Sequence, residues 1–150
     1  MTGFETLKDE NRPPRVILIE DDDVDVEAIK RAFKRAGLKN RLVVCRDGAD
    51  GMKTLRGMAT REDKEEGMIV LLDINLPKMG GLELLSEVRK DPDLKGSVVF
   101  ALSTSNAQTD RNGAYDLNVA GYLVKSRLGK DLNGLTNLLS DYSHFVEFAV

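Results

Sequence analysis

The chain has 150 residues, which suits one domain and is long enough to bury a real core without disulfide staples. Its formal charge of −3 argues against nucleic acid or a membrane surface as a partner. One cysteine, Cys45, and one histidine, His144, exclude a disulfide framework and a Cys/His zinc site within the chain; a reducing, cytoplasmic setting is expected.

Residues 1–14 read as a loose arm without a signal-peptide core, and Pro13-Pro14 oppose a helix. A strand is predicted over 15–20, where Val16-Ile17-Leu18-Ile19 is a short β-branched apolar run of the kind buried on both faces. It empties into EDDDVDVE (20–27), six of whose eight residues are acidic. Ala28, Ile29, Ala32, Phe33 and Ala36 then keep helical spacing up to Gly37, with Asp22 or Asp23 as the cap. A second strand is predicted over 42–45 and a second helix through Ala49, Met52, Leu55 and Met58. TREDKEEG (60–67) reads as a solvated connection.

Met68 to Leu72 is a third apolar strand, ending at Asp73. The loop 75–81 (NLPKMGG) follows, then a helix through Leu82, Leu85 and Val88 that Asp91-Pro92 ends. Val98 to Leu102 is a fourth strand, ending at Ser103-Thr104. The segment 107–117 is the weakest helix signal, because Gly113 lies inside it. A fifth strand is predicted over 119–124, ending at Lys125. Leu128, Leu132, Leu135, Leu139 and Tyr142 form a last helical stripe, and the apolar tail 145–150 needs a covering surface. No apolar run approaches the roughly 18 residues that span a bilayer.

Five strands alternating with five helices predict an α/β fold, a doubly wound parallel sheet with its site at the carboxyl ends of the strands. If strands one and three are neighbours, Glu20, Asp21 and Asp73 converge, with Ser103 and Lys125 alongside. Close carboxylates repel one another, so they raise a pKa or bind a cation. Oxygen ligands without Cys or His favour Mg²⁺, and beside it Asp73 can act as an oxygen nucleophile toward phosphorus. Lys125 can pair with the transferred group and Ser103 can donate to one of its oxygens. Each residue also has an ordinary structural reading alone: acids favoured at a helix N-terminus, a turn Asp, a strand-ending Ser, a solvated Lys.

The stretches ILIEDD, LLDINLPKMGG, ALSTS and GYLVKS, in this order and each at a strand end, resemble the receiver domains of two-component response regulators over about residues 15–142. The resemblance implies a flavodoxin-like sheet of strand order 2-1-3-4-5. It implies phosphoryl transfer from the phosphohistidine of a cognate histidine kinase onto Asp73, with at most self-catalysed transfer and autodephosphorylation as enzymatic activity. Asp21 would hold Mg²⁺ directly, Glu20 through water, with Asp73 and the backbone carbonyl of Asn75 as further ligands. Ser103 and the adjoining Thr104, Tyr122 and Lys125 would bind the phosphoryl group and form the switch that remodels the surface of helix four, strand five and helix five.

A narrower resemblance, carried by EDDDVDVEAI, LLDINLP and DYSHFVEF, is to the single-domain regulators of phytochrome histidine kinases. It implies a phytochrome-type kinase, a homodimer through the C-terminal region (143–150) and, for onward transfer, a histidine phosphotransfer protein. With the receiver using 15–142, no output domain is expected on this chain.

Some residues depart from the pattern. Ser126 replaces the usual Pro after Lys125, and since a cis bond without Pro costs about 3–4 kcal/mol, a trans loop is expected. Ser103 stands where Thr is common, and Thr104 is larger than usual and expected to crowd Tyr122. Ser105 replaces the charged or amide residue some members use. A displaced Lys125 would favour a non-phosphorylated binding scaffold. Asn75, where haloacid-type phosphohydrolases carry a second Asp, opposes turnover of external substrates, and EDDD would repel a flavin phosphate.

Overall fold

The structure is a computed structural model describing residues 12–61 and 66–148. Val16, Ile17, Leu18 and Ile19 are wholly buried because β1 (Arg15–Ile19) lies inside the sheet and is covered on both faces. It pairs in parallel with β2 (Leu42–Cys45) and with β3 (Met68–Asp73). Beyond β3 lie β4 (Val98–Ser103) and β5 (Gly121–Val124), so the order is β2-β1-β3-β4-β5, as expected.

Alternate strand residues feed two apolar layers. Ile17, Ile19, Val70, Leu72, Val99 and Ala101 meet α2 (Gly48–Ala59), α3 (Gly81–Lys90) and α4 (Gln108–Asp116). Val16, Leu18, Ile69, Leu71, Phe100 and Leu102 meet α1 (Asp23–Ala36) and α5 (Asn133–Phe145). Asp22 caps α1 by accepting the N–H groups of Val24 and Asp25, and Gly37 ends it at φ 68°. Among the described residues no helix is long and apolar enough to cross a membrane.

Several boundaries differ from those predicted. β1 stops at Ile19, although the Glu20 N–H still bonds the Cys45 carbonyl (2.9 Å). β5 begins at Gly121 rather than 119, because Asn118 turns the chain at φ 60°. The stripe starting at Leu128 becomes helical only at Asn133: residues 125–127 form a 3₁₀ turn, and Gly129 (φ 91°) and Leu132 (φ 57°) break the helical path. The weak segment 107–117 does form α4, but it buries only Ala114 and its N-cap residue, Ala107, makes no side-chain cap bond.

The connection 60–67 is less solvated than expected. Glu66 is nearly buried, its Oε1 2.6 Å from Arg15 Nη2 and its Oε2 3.2 Å from Arg12 Nη1. Residues 62–65 lie outside the described residues, as do 1–11 of the arm and 149–150 of the tail. Part of the tail folds back: Phe148 meets Tyr142 edge-on at 5.8 Å and occupies the space a side chain at Gly67 would need. Phe145 remains 79% exposed.

Arg89, at the C-terminal end of α3, donates to four backbone carbonyls. They belong to Leu117 (2.7 Å), Lys95 (2.8 Å), Ser97 (2.8 Å) and Asn118 (2.9 Å). It fastens the end of α4 and the turn into β5 to α3 and the start of β4.

Candidate functional site at the carboxyl edge of the sheet

Register brings the strand ends level: Asp73 pairs with Leu102 and Ser103 with Val124. Because β1 and β3 are neighbours, Glu20 and Asp73 emerge side by side, Glu20 0% and Asp73 4% exposed. Asp21 is exposed at the rim, and one oxygen each from Glu20, Asp21 and Asp73 lie within 4.8 Å of one another. Asp73 Oδ1 accepts the Asn75 N–H at 2.9 Å, which fixes the carboxylate plane.

Lys125 reaches into this cluster. Its Nζ lies 2.7 Å from Glu20 Oε1, 2.8 Å from Asp25 Oδ2 and 3.8 Å from Asp73 Oδ2. Every described peptide bond is trans, Lys125–Ser126 included. Lys125 therefore stands at the site with Ser126 following it, and the ground for a scaffold built on a displaced lysine falls away.

At the end of β4, buried Ser103 donates through Oγ to Asn75 Oδ1 (3.3 Å) and accepts the Ser105 N–H (2.9 Å). The half-buried Tyr122 donates its hydroxyl to the Ser105 carbonyl (2.9 Å). Thr104 and Asn75 are exposed. Glu20, Asp21, Asp73, Asn75, Ser103, Tyr122 and Lys125 are thus gathered at one edge, whereas Thr104 turns to solvent.

Asp25 was not among the residues singled out from sequence, where it counted as one of the acids of the first turn of α1. It is four residues before Ile29 and eight before Phe33, both buried, so helical spacing puts it on the inward stripe. That spacing was the available signal.

The cluster is overcharged. Burial, then the hydrogen bond and charge of Asp73, push the Glu20 carboxyl up to about 8, and Lys125 offsets them only in part. Burial alone would lower Lys125, but hydrogen bonds to Asp25 and Glu20 outweigh it and hold the ammonium above its ordinary range. Three hard oxygen donors with surplus negative charge fit a divalent cation such as Mg²⁺.

A pH dependence follows. Glu20 holds a proton more tightly folded than unfolded, so without metal its contribution to stability falls as pH rises from the ordinary carboxylate value of 4.5 toward about 8. A cation must displace that proton, so Mg²⁺ binding should tighten roughly 25-fold between about pH 6.5 and 8.5, with proton release. Calorimetric titration with Mg²⁺ at the two pH values checks this; equal affinities would refute it.

A sheet of this order with an acidic cluster and one lysine at its carboxyl edge defines a class of flavodoxin-like signalling domains. The profile of the response regulator receiver domain matches residues 16–135, and the chain belongs to that family, whose function is to be phosphorylated by a kinase. It is 39% identical over 127 residues to response regulator Rcp1 of Synechocystis sp., covering 84% of this chain and 86% of that protein. The Mn²⁺-bound crystal structure of Rcp1 superposes with a TM-score of 0.76 and 32% identity, covering 92% of this chain and all of that one. The phosphorylated cyanobacterial phytochrome response regulator RcpA gives 0.71 and 32%, with 89% and 94% covered.

Proposed function

We propose that Asp73 is the phosphoacceptor of an Mg²⁺-dependent transfer from a histidine kinase of the phytochrome type. The observation that carries this is the convergence of Glu20, Asp21, Asp73 and Lys125. The likeness to a phytochrome response regulator supports the kinase class. An Asp73 oxygen attacks phosphorus, and the bond from phosphorus to the imidazole nitrogen breaks with its electron pair leaving on nitrogen. Bound Mg²⁺ supplies neutralisation of the phosphoryl charge. Asp21, Asp73 and the Asn75 carbonyl would hold it directly and Glu20 through water, and Lys125 would donate to a phosphoryl oxygen.

Ser103 exchanges its bond to Asn75 for one to the phosphoryl group, with Thr104 beside it. The pull reaches Ser105, whose carbonyl holds Tyr122. Tyr122 then turns inward and the α4-β5-α5 surface changes. The activity ends in autodephosphorylation rather than turnover of external substrates. Acetyl phosphate with Mg²⁺ tests the reading: one phosphoryl group on Asp73 is expected, and no label from either acetyl phosphate or a phosphorylated histidine kinase would overturn it.

The receiver unit is taken as 15–142, acting in the cytoplasm. Exposed Phe145 supports the tail 143–150 as a contact between two copies; a histidine phosphotransfer protein as the onward acceptor rests on the family resemblance alone. In sedimentation the full chain is expected to run as a dimer and a chain ending at Tyr142 as a monomer. Equal monomeric masses would remove the dimer.

A further inference from the structure

Asp25 neither ligates the metal nor accepts phosphate in this reading, yet its Oδ2 is 2.8 Å from Lys125 Nζ. An ammonium has three N–H donors. Two are committed, to Glu20 and Asp25, and Asp73 Oδ2 lies 3.8 Å from Nζ, beyond hydrogen-bond range.

We propose that Asp25 competes with the phosphoryl group for Lys125, a positioning residue that restrains the ammonium until phosphorylation draws it away. The proposal rests on Asp73 being the phosphoacceptor. As an acid in the first turn of α1, Asp25 suits the helix dipole, but that accounts for its charge and not for its contact with Lys125.

Burial decides which partner yields. The Asp25 side chain is 35% exposed and water can replace Lys125 there, whereas Glu20 is fully buried and no water can take the place of Lys125 beside it. A cavity of about 60 Å³ beside the pair, walled by Ala28, Ile29, Leu102 and Leu128, leaves the lysine stem room to shift. Charge acts in the same sense. A phosphoryl group brings about two negative charges, and Asp25 is the nearby carboxylate that repels them without holding metal.

The test compares the full chain with its Asp25→Asn and Asp25→Glu variants at saturating Mg²⁺. One readout is the initial rate of labelling by acetyl phosphate, in which an Asp73 oxygen bonds phosphorus and acetate leaves with the electron pair. Another is equilibrium affinity for beryllium trifluoride, which adds reversibly to a carboxylate oxygen as a phosphoryl stand-in. Asp25→Asn is expected to label and bind about two- to fivefold better, the size of a half-exposed charge pair. Asp25→Glu should return both values to wild type. Asp25→Ser, which removes the charge with different shape, should match Asp25→Asn.

A third readout needs no phosphoryl chemistry: in urea unfolding of the metal-free protein, Asp25→Asn and Lys125→Gln should be non-additive. Wild-type labelling on Asp73 with Asp25→Asn equal or slower would overturn the proposal and leave the phosphoacceptor standing. Absence of label on wild type from acetyl phosphate and from a phosphorylated histidine kinase alike would overturn both.

Discussion

Asp73→Asn is expected to abolish phosphoryl uptake from acetyl phosphate and from a phosphorylated kinase alike. The amide is nearly isosteric and its oxygen can still accept the Asn75 N–H at 2.9 Å, so the fold should survive. What disappears is the anionic nucleophile, and no other carboxylate replaces it. Glu20 is wholly buried and bonded to Lys125, and Asp21 is at the rim. The substitution also relieves repulsion of Glu20, so its carboxyl should titrate closer to the ordinary value, because the charge and hydrogen bond of Asp73 are among the causes of its rise. Intact-mass measurement reads the first effect and carboxyl titration by NMR the second. Residual label on Asp73→Asn would mean that another side chain is the acceptor.

Gly81→Ala is expected to damage the site from behind. A Cβ at Gly81 would lie 2.4 Å from the Asp73 carbonyl oxygen and 2.6 Å from Ile74 Cα. These are backbone atoms at the end of a central strand, so they cannot rotate away as a side-chain tip would. Either the loop before α3 lifts or β3 shifts at its last residue. A loss of about 3 kcal/mol in urea unfolding is expected, at the upper end of typical overpacking costs. Slower labelling of Asp73 should accompany it, since a misplacement of about 1 Å can cost a hundredfold in a positioned reaction. Gly80→Ala serves as the control, because a Cβ there meets nothing within 4 Å. Equal stability of the two variants would refute the account.

The sheet was readable because buried parallel strands leave short apolar runs, and those of β1, β3, β4 and β5 end on a polar residue at the site. Asp73 and Lys125 followed from that pattern. The start of α5 was not readable, since Leu128 and Leu132 sit at helical spacing yet reach the core through a turn in which Leu132 takes a left-handed backbone. Apolar period alone does not distinguish those paths. Asp25 was hidden by its neighbours: among so many acids, its alignment with Ile29 and Phe33 carried the information and its charge did not. Glu66 depends on a residue far away in sequence, Arg15, and no local pattern encodes that meeting.

The carbonyl contacts of Arg89 give α4 a mechanical asymmetry. Its far end, at Leu117 and Asn118, is riveted to α3, whereas its near end starts at an uncapped Ala107, two residues beyond Ser105. A rod fixed at one end moves by rotating about it, so a tug from Ser105 in the proposed switch would be taken up as a swing whose arc is widest beside the site. Arg89 would then be the pivot, and the length of α4 would set the leverage.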